Sequence, residues 1–145
     1  MSQGMLTYAD PDASPYYLAP DVTDNEIGES VRLALAATQT IPLDEFQALY
    51  KSGVLQKVGN ERDAWAMNRY GYKSKKAMYL QMMCCWITLA DGKIKIQPTM
   101  HDSLDGYRGM RIGDVEDLLL PADASDAELG AAVKEGFRRC TSEWP

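Results

Sequence analysis

RYGYKSKKAMYLQMMCCWITLADGKIKIQPTMHDSLDGY, residues 69–107, decides the fold. Its centre reads as a β-hairpin. Asp91-Gly92 fits a two-residue type I′ turn, whose central positions both need φ > 0, and Asp and Gly tolerate that. The turn sets the register: Leu89 faces Ile94, Ile87 faces Ile96, and Cys85 continues the same face. Thr88 faces Lys95 and Trp86 faces Gln97 on the other side. One apolar and one mixed face mark a strand pair with one side on the core. Pro98 has no N–H to give a ladder, so pairing is expected to stop there.

Upstream of the hairpin, Gly71 can end one helix in a left-handed cap and Ser74 can cap the next. Over Ser74–Met82, the pairs Ala77/Leu80 and Met78/Met82 make a narrow apolar stripe. Lys73, Lys75 and Lys76 crowd its first turn, against the helix dipole. The ordinary reading is a solvated basic face. The alternative is an RNA-binding accessory face, with Tyr70, Tyr72 and Tyr79 offering rings for stacking.

Towards the N-terminus, Met5–Tyr8 reads as a short strand and Tyr16–Ala19 as a second, stopped by Pro20. Thr23 with Glu26 three residues later is a capping box. Ile27, Val31, Ala34 and Leu35 follow at helical spacing, so the helix is expected to reach about Thr38. This unit recurs: Asp21–Gly28 matches Asp123–Gly130, the match extends to Val31/Val133 and Arg32/Lys134, and Tyr16–Leu18 falls on Leu118–Leu120. Gly28 and Gly130 each sit one turn into their helix. Glycine there costs about 1 kcal/mol against alanine, and close approach of helix to sheet is the expected gain.

Pro42–Lys51 reads as a short helix with Phe46, Leu49 and Tyr50 on its apolar side, ended by Ser52-Gly53. Asn60 can cap another, with Asp63 at its third position and Trp65 and Met67 along it. Beyond the hairpin, His101–Asp114 is polar and reads as a surface loop. Val115–Leu120 is a third strand, ended by Pro121, and the last helix spans Asp126–Arg139 with Leu129, Val133 and Phe137 on one face. The fold class is α+β: one domain over residues 1–145, with a small, largely antiparallel sheet and helices packed against it.

The 145 residues suffice for a genuine core, and 46% hydrophobic content fits a soluble globule. Residues 1–10 show no secretory signal, and no stretch approaches a membrane span. Cys84 and Cys85 are neighbours on a strand and point to opposite faces, so they do not bridge. An odd count of three cysteines, without a framework, points to a reducing cytoplasm. The net charge is −6, spread unevenly. Residues 1–50 hold eight acids and one base, 51–99 nine bases and three acids, and 100–145 ten acids and five bases. Such a chain repels nucleic acid on average and attracts basic proteins.

One constellation could do chemistry: His101, Asp102, Ser103 and Asp105. A histidine beside carboxylates can serve as a general base, which makes a small enzyme using His101 and Asp102 one alternative. No nucleophile elbow, Gly-rich phosphate loop or metal-spaced Cys/His cluster accompanies it, so no catalytic residue, cofactor or metal is expected. Two acidic surfaces offer themselves to a partner. One is Asp10–Tyr17. The other, in the longer loop, holds His101, Asp102, Asp105, Tyr107, Arg108, Asp114, Glu116 and Asp117. The second combines charge for steering with an aromatic and an arginine as anchors, and is the preferred binding site.

The chain also resembles a known family, the immunity proteins of bacterial contact-dependent growth inhibition (CDI) systems. The matching pieces are Tyr70-Gly71-Tyr72-Lys73, Asp91-Gly92-Lys93-Ile94, Pro98-Thr99-Met100-His101 and Leu104-Asp105-Gly106-Tyr107. The likeness continues through Leu120–Ser125 and Glu128-Leu129-Gly130 to Cys140, and more loosely over Leu18–Leu35. Tyr107 stands where the family carries a tryptophan. The resemblance implies a small cytoplasmic protein that binds a cognate toxin domain, commonly a nuclease, and neutralises it. The expected partner is thus a basic protein held in a 1:1 complex, not nucleic acid or a membrane.

Overall fold

A computed structural model describes residues 5–9, 16–80, 82–104, 106–109 and 116–143. They fall into two compact units. The first joins residues 5–9 to residues 36–78. Strand β1 (Met5–Ala9) pairs antiparallel with β2 (Thr38–Pro42), which local sequence did not announce. Helix α2 (Leu43–Lys51) follows directly, with Phe46 and Tyr50 stacked at 6.5 Å.

Helix α3 (Val54–Tyr70) is continuous. Asn60, expected as a cap, lies within it. The start is instead set by Gly53, whose φ of 81° makes the turn from α2 and whose carbonyl accepts from Lys57 N–H. Gly71 ends α3 as expected, at φ 77°, with Tyr72 N–H donating back to the Met67 carbonyl. Ser74 caps the short α4 (Lys75–Tyr79) by accepting from Ala77 N–H. The apolar stripe expected over 74–82 is not buried as a stripe: Met78 is, while Ala77, Leu80 and Met82 are exposed. Lys75, at odds with the helix dipole, lies 3.4 Å from Asp63 of α3. The compensation is therefore tertiary.

The second unit joins residues 16–35 to the chain beyond 79. It contains α1 (Asp24–Ala36), β3 (Cys85–Ala90), β4 (Lys93–His101), β5 (Tyr107–Gly109), β6 (Leu118–Pro121), α5 (Asp126–Arg139) and β7 (Thr141–Ser142). The hairpin forms in the register read from the sequence, with φ of 54° at Asp91 and 72° at Gly92. Strand β4 is central. It pairs antiparallel with β3, β5 and β6 and parallel with β7, giving a mostly antiparallel five-stranded sheet. Helices and sheet together make the expected α+β class.

Pro98 ends the pairing with β3 but not the strand. Its ring is buried, and Thr99–His101 continue β4 against β5, with Met100 and His101 also facing β7. The core forms where α1 and α5 cover one face of this sheet. Ile94, Ile96, Leu129, Ala132 and Val133 are buried, and Ile27, Val31, Leu35, Cys85, Ile87, Leu118 and Leu120 pack around them. Each fully buried aliphatic side chain contributes about 1.5–3 kcal/mol. Leu89 and Phe137, expected inside, are 53% and 44% exposed because they lie at the edge of the covered area.

The repeated units become α1 and α5, with both caps formed. Thr23 Oγ1 accepts from Glu26 N–H and Ser125 Oγ from Glu128 N–H. The strand half of the repeat fails at Tyr16–Ala19, which is exposed coil. The expected helix end shortens too, since Thr38 already opens β2. The glycines serve a closer approach than expected, helix to helix. A Cβ on Gly28 would meet the Asp126 backbone, and one on Gly130 the Asp24 backbone. The matched cations then cross over: Arg32 Nε lies 2.6 Å from Asp126, and Lys134 Nζ 2.6 Å from Asp24. Arg32 also donates to the carbonyls of Ala122 and Ala124, tying α1 to the turn before α5.

Candidate functional site

The end of β4 carries the residues singled out from sequence. His101 is the last residue of β4 and lies directly opposite Tyr107, the first of β5. The polar stretch thus contains a strand as well as a loop. Between them the chain turns tightly, Asp102 N–H donating to the Gly106 carbonyl. Gly106 leaves no room for a side chain, because a Cβ would meet Ser103 Oγ.

His101 is 1% exposed. Its ring stacks on Tyr107 with centroids 4.5 Å apart and planes at 14°. A carbonyl oxygen only accepts, so Nε2 is the donor to Leu104 O at 3.0 Å. Tyr107 O–H in turn donates to the Met82 carbonyl at 2.9 Å. Tyr107 is therefore held on both faces of its function as an anchor: its ring by an imidazole, its hydroxyl by a backbone group.

Arg108, the next residue of β5, reaches three groups. Its Nε lies 3.5 Å from Asp102, and its Nη2 3.4 Å from Glu143 and 3.2 Å from Met100 Sδ. Glu143 is placed by β7, which pairs beside His101, and by its own N–H donating to the His101 carbonyl. Both ion pairs are substantially exposed, so they orient the guanidinium more than they stabilise the fold. Glu116 and Asp117 are exposed where the chain approaches β6. The pairings Thr99 with Gly109 and Ile96 with Leu118 set the end of β5 and the start of β6 along β4. Asp105 and Asp114 lie outside the described residues, as do residues 10–15 of the other acidic segment, whose Tyr16 and Tyr17 are exposed.

The arrangement suits recognition better than chemistry. The His101 ring is covered by Tyr107 and its Nε2 is spent on a carbonyl, while Ser103 is exposed and bonded through its own carbonyl to Gly106 N–H. Among the described residues, no group of three or more His, Cys, Asp and Glu side chains could hold a metal ion. Glu143 and Met82 complete the corner, and neither carried a local sequence signal; both are assigned by long-range pairing.

Charge separates along the same lines. Residues 16–35 and 79–145 hold fifteen acidic and eight basic side chains, whereas residues 1–15 and 36–78 hold six and seven. On the basic side, Lys73 and Lys76 are exposed, and Arg69 lies over the Tyr70 ring at 5.4 Å. Among the described residues no helix is long and apolar enough to cross a membrane.

Comparison with known proteins agrees with this picture. The family CdiI, described as CDI immunity protein, matches residues 1–140. The immunity protein CdiI-YPIII of Yersinia pseudotuberculosis serotype O:3 is 29% identical over 150 aligned positions, covering 90% of this chain and 81% of the relative. A protein of unknown function from Neisseria meningitidis has a similar structure, with a TM-score of 0.81 and 29% identity over 90% of this chain and 79% of that one. The structure of a CdiA-CT/CdiI toxin and immunity complex from Y. pseudotuberculosis matches with a TM-score of 0.73 and 29% identity. That match covers 85% of this chain and 78% of the other.

Proposed function

Since the chain belongs to the CDI immunity protein family, we propose that it binds the toxin domain of its own system 1:1 and blocks that domain's active site. The toxin in this reading is a basic nuclease, and the encounter takes place in the cytoplasm of the cell being protected. The observation that carries the reading is the charge asymmetry. Fifteen acids against eight bases lie in the unit that also holds the Asp102–Arg108 corner. An acidic surface attracts a nuclease built to hold phosphates and competes with its substrate.

Within the corner, Tyr107 and Arg108 are the anchors and Asp102, Glu116 and Asp117 supply steering, with Asp105 and Asp114 adding charge from the same stretch. His101 contributes from below, as the surface on which Tyr107 rests. The protein performs no turnover, because the imidazole that would act as base is covered and engaged.

The test is to mix the purified cognate toxin domain with increasing amounts of this protein and follow nucleic-acid cleavage. Cleavage should stop at one equivalent, and light scattering should show one copy of each chain. A toxin that remains active in a stable complex would refute active-site blocking. A toxin with no nuclease activity would refute the substrate class.

A further inference from the structure

The three cysteines meet where β3 begins and where the chain leaves α5. Cys85 opens β3, opposite Pro98 of β4. Cys140 follows α5 and precedes β7, which pairs with Met100 and His101. Strand β5 lies across β4 from β3 and pairs with those same two residues, so β7 continues the edge that β3 leaves. Cys85 and Cys140 therefore meet end to end, with their sulfurs 3.5 Å apart. Gly136 makes the approach possible, since a Cβ there would lie 3.2 Å from Cys85 Sγ and 2.8 Å from Ile96. The contact of Cys140 with Cys84 runs instead to the Cys84 backbone carbonyl, at 3.3 Å.

We propose that Cys85 and Cys140 form an oxidative modification site, converted to an intramolecular disulfide by a peroxide. A disulfide bond is about 2.05 Å long, so the sulfurs must close by roughly 1.5 Å, within reach of small side-chain rotations. In the first step one thiolate attacks a peroxide oxygen. An S–O bond forms, the O–O bond breaks, and the departing hydroxide leaves as water, giving a sulfenic acid. In the second step the other thiol's sulfur attacks the sulfenic sulfur. The S–S bond forms, the S–O bond breaks, and a second water leaves. The two thiols together lose two electrons and two protons, and the peroxide is reduced to two waters.

All three thiols are partly exposed, so a small oxidant reaches them. Burial, and then the neighbouring Cys140, push the Cys84 and Cys85 thiols above their ordinary value. Thiolate is then scarce at neutral pH, and the pair reacts slowly unless oxidant persists. Once formed, the bond fixes β7, and Glu143 beyond it, against the start of β3. The inference concerns this chain alone and stands whether or not the toxin reading does.

The test uses the full chain, treated with hydrogen peroxide at mildly alkaline pH, then unfolded and alkylated for mass spectrometry. Three free thiols should fall to one, with the loss of two hydrogens and a reducible link between the peptides holding Cys85 and Cys140. Cys84 and Cys85 share a peptide, so Cys84→Ser identifies the partner: it should form the same link and retain no free thiol. Cys140→Ser should form none within the chain. The oxidised protein should melt several degrees higher than the reduced one, and reductant should reverse this. Three free thiols after oxidation that links the urea-unfolded chain would overturn the proposal. So would loss of the link in Cys84→Ser, or links between chains only.

Discussion

Gly130→Ala sets two effects of known sign against each other. In an exposed helix alanine should stabilise, by about 1 kcal/mol. Here the added Cβ would lie 2.8 Å from the Asp24 Cα, with the Asp24 carbonyl nearer still. Carbon atoms rest at about 3.5–4.0 Å, so the crossing must open by roughly 1 Å. The obstructing atoms are backbone in the first turn of α1 and do not rotate away. Overpacking of this kind costs about 1–3 kcal/mol, and the upper end applies. Opening the crossing also loosens Ile27 and Val31 against Leu129 and Val133 and stretches the Lys134–Asp24 pair, for roughly another 1 kcal/mol. After subtracting the propensity gain, the net loss is about 2–3 kcal/mol. In a chain of this size that lowers the melting temperature by roughly 5–10 °C. Gly28→Ala should behave alike, because its Cβ would lie 2.7 Å from the Asp126 Cα. Both substitutions open one crossing, so the double variant should lose less than the sum, by about 0.5 kcal/mol or more. The assay is thermal and urea unfolding of the four proteins. Variants that melt at or above the parent would show propensity winning and would refute the close helix contact. Strict additivity would refute the shared crossing.

Gly92→Val places a β-branched residue at φ 72°; it should cost about 1–3 kcal/mol in thermal unfolding while the folded fraction still binds toxin. Asp102→Asn together with Asp105→Asn should slow association with the toxin domain and flatten its salt dependence, measured by surface-immobilised kinetics at two ionic strengths. Tyr107→Ala should instead speed dissociation, and Tyr107→Phe, which removes only the hydroxyl bond to Met82, should do so by less than about tenfold. Unchanged constants in all of these variants would place the interface elsewhere. Because the Cys84 and Cys85 thiols are raised, their thiolates appear only as pH climbs past the ordinary cysteine range. Alkylation of the folded protein should therefore be slow at pH 7 and accelerate into alkaline solution, while the urea-unfolded chain reacts readily at both.

Sequence determined those features whose cause lies within a few residues. The Asp91-Gly92 turn and its register needed only two positions at positive φ. The caps at Thr23, Ser74 and Ser125 each needed an oxygen and an N–H three residues on. The left-handed stop at Gly71 needed the absence of a Cβ. The family could be recognised because motifs of this kind recur in order along the chain. Tertiary structure decided what depends on distant partners. Strand β2 exists because β1 pairs with it, β4 runs past Pro98 because β5 and β7 take over its partners, and Asn60 is drawn inside a helix that began at Gly53. The offset of 102 residues showed that α1 and α5 are alike, but not that their glycines face each other's first turns or that Arg32 and Lys134 exchange partners. His101 stood out as the chain's one histidine, and only the stack on Tyr107 shows that it is a buried support. The same holds for Cys85 and Cys140, far apart in the chain and brought to 3.5 Å by the edge of one strand. Local rules act through bonds to near neighbours, whereas these contacts depend on which surfaces the hydrophobic core brings together.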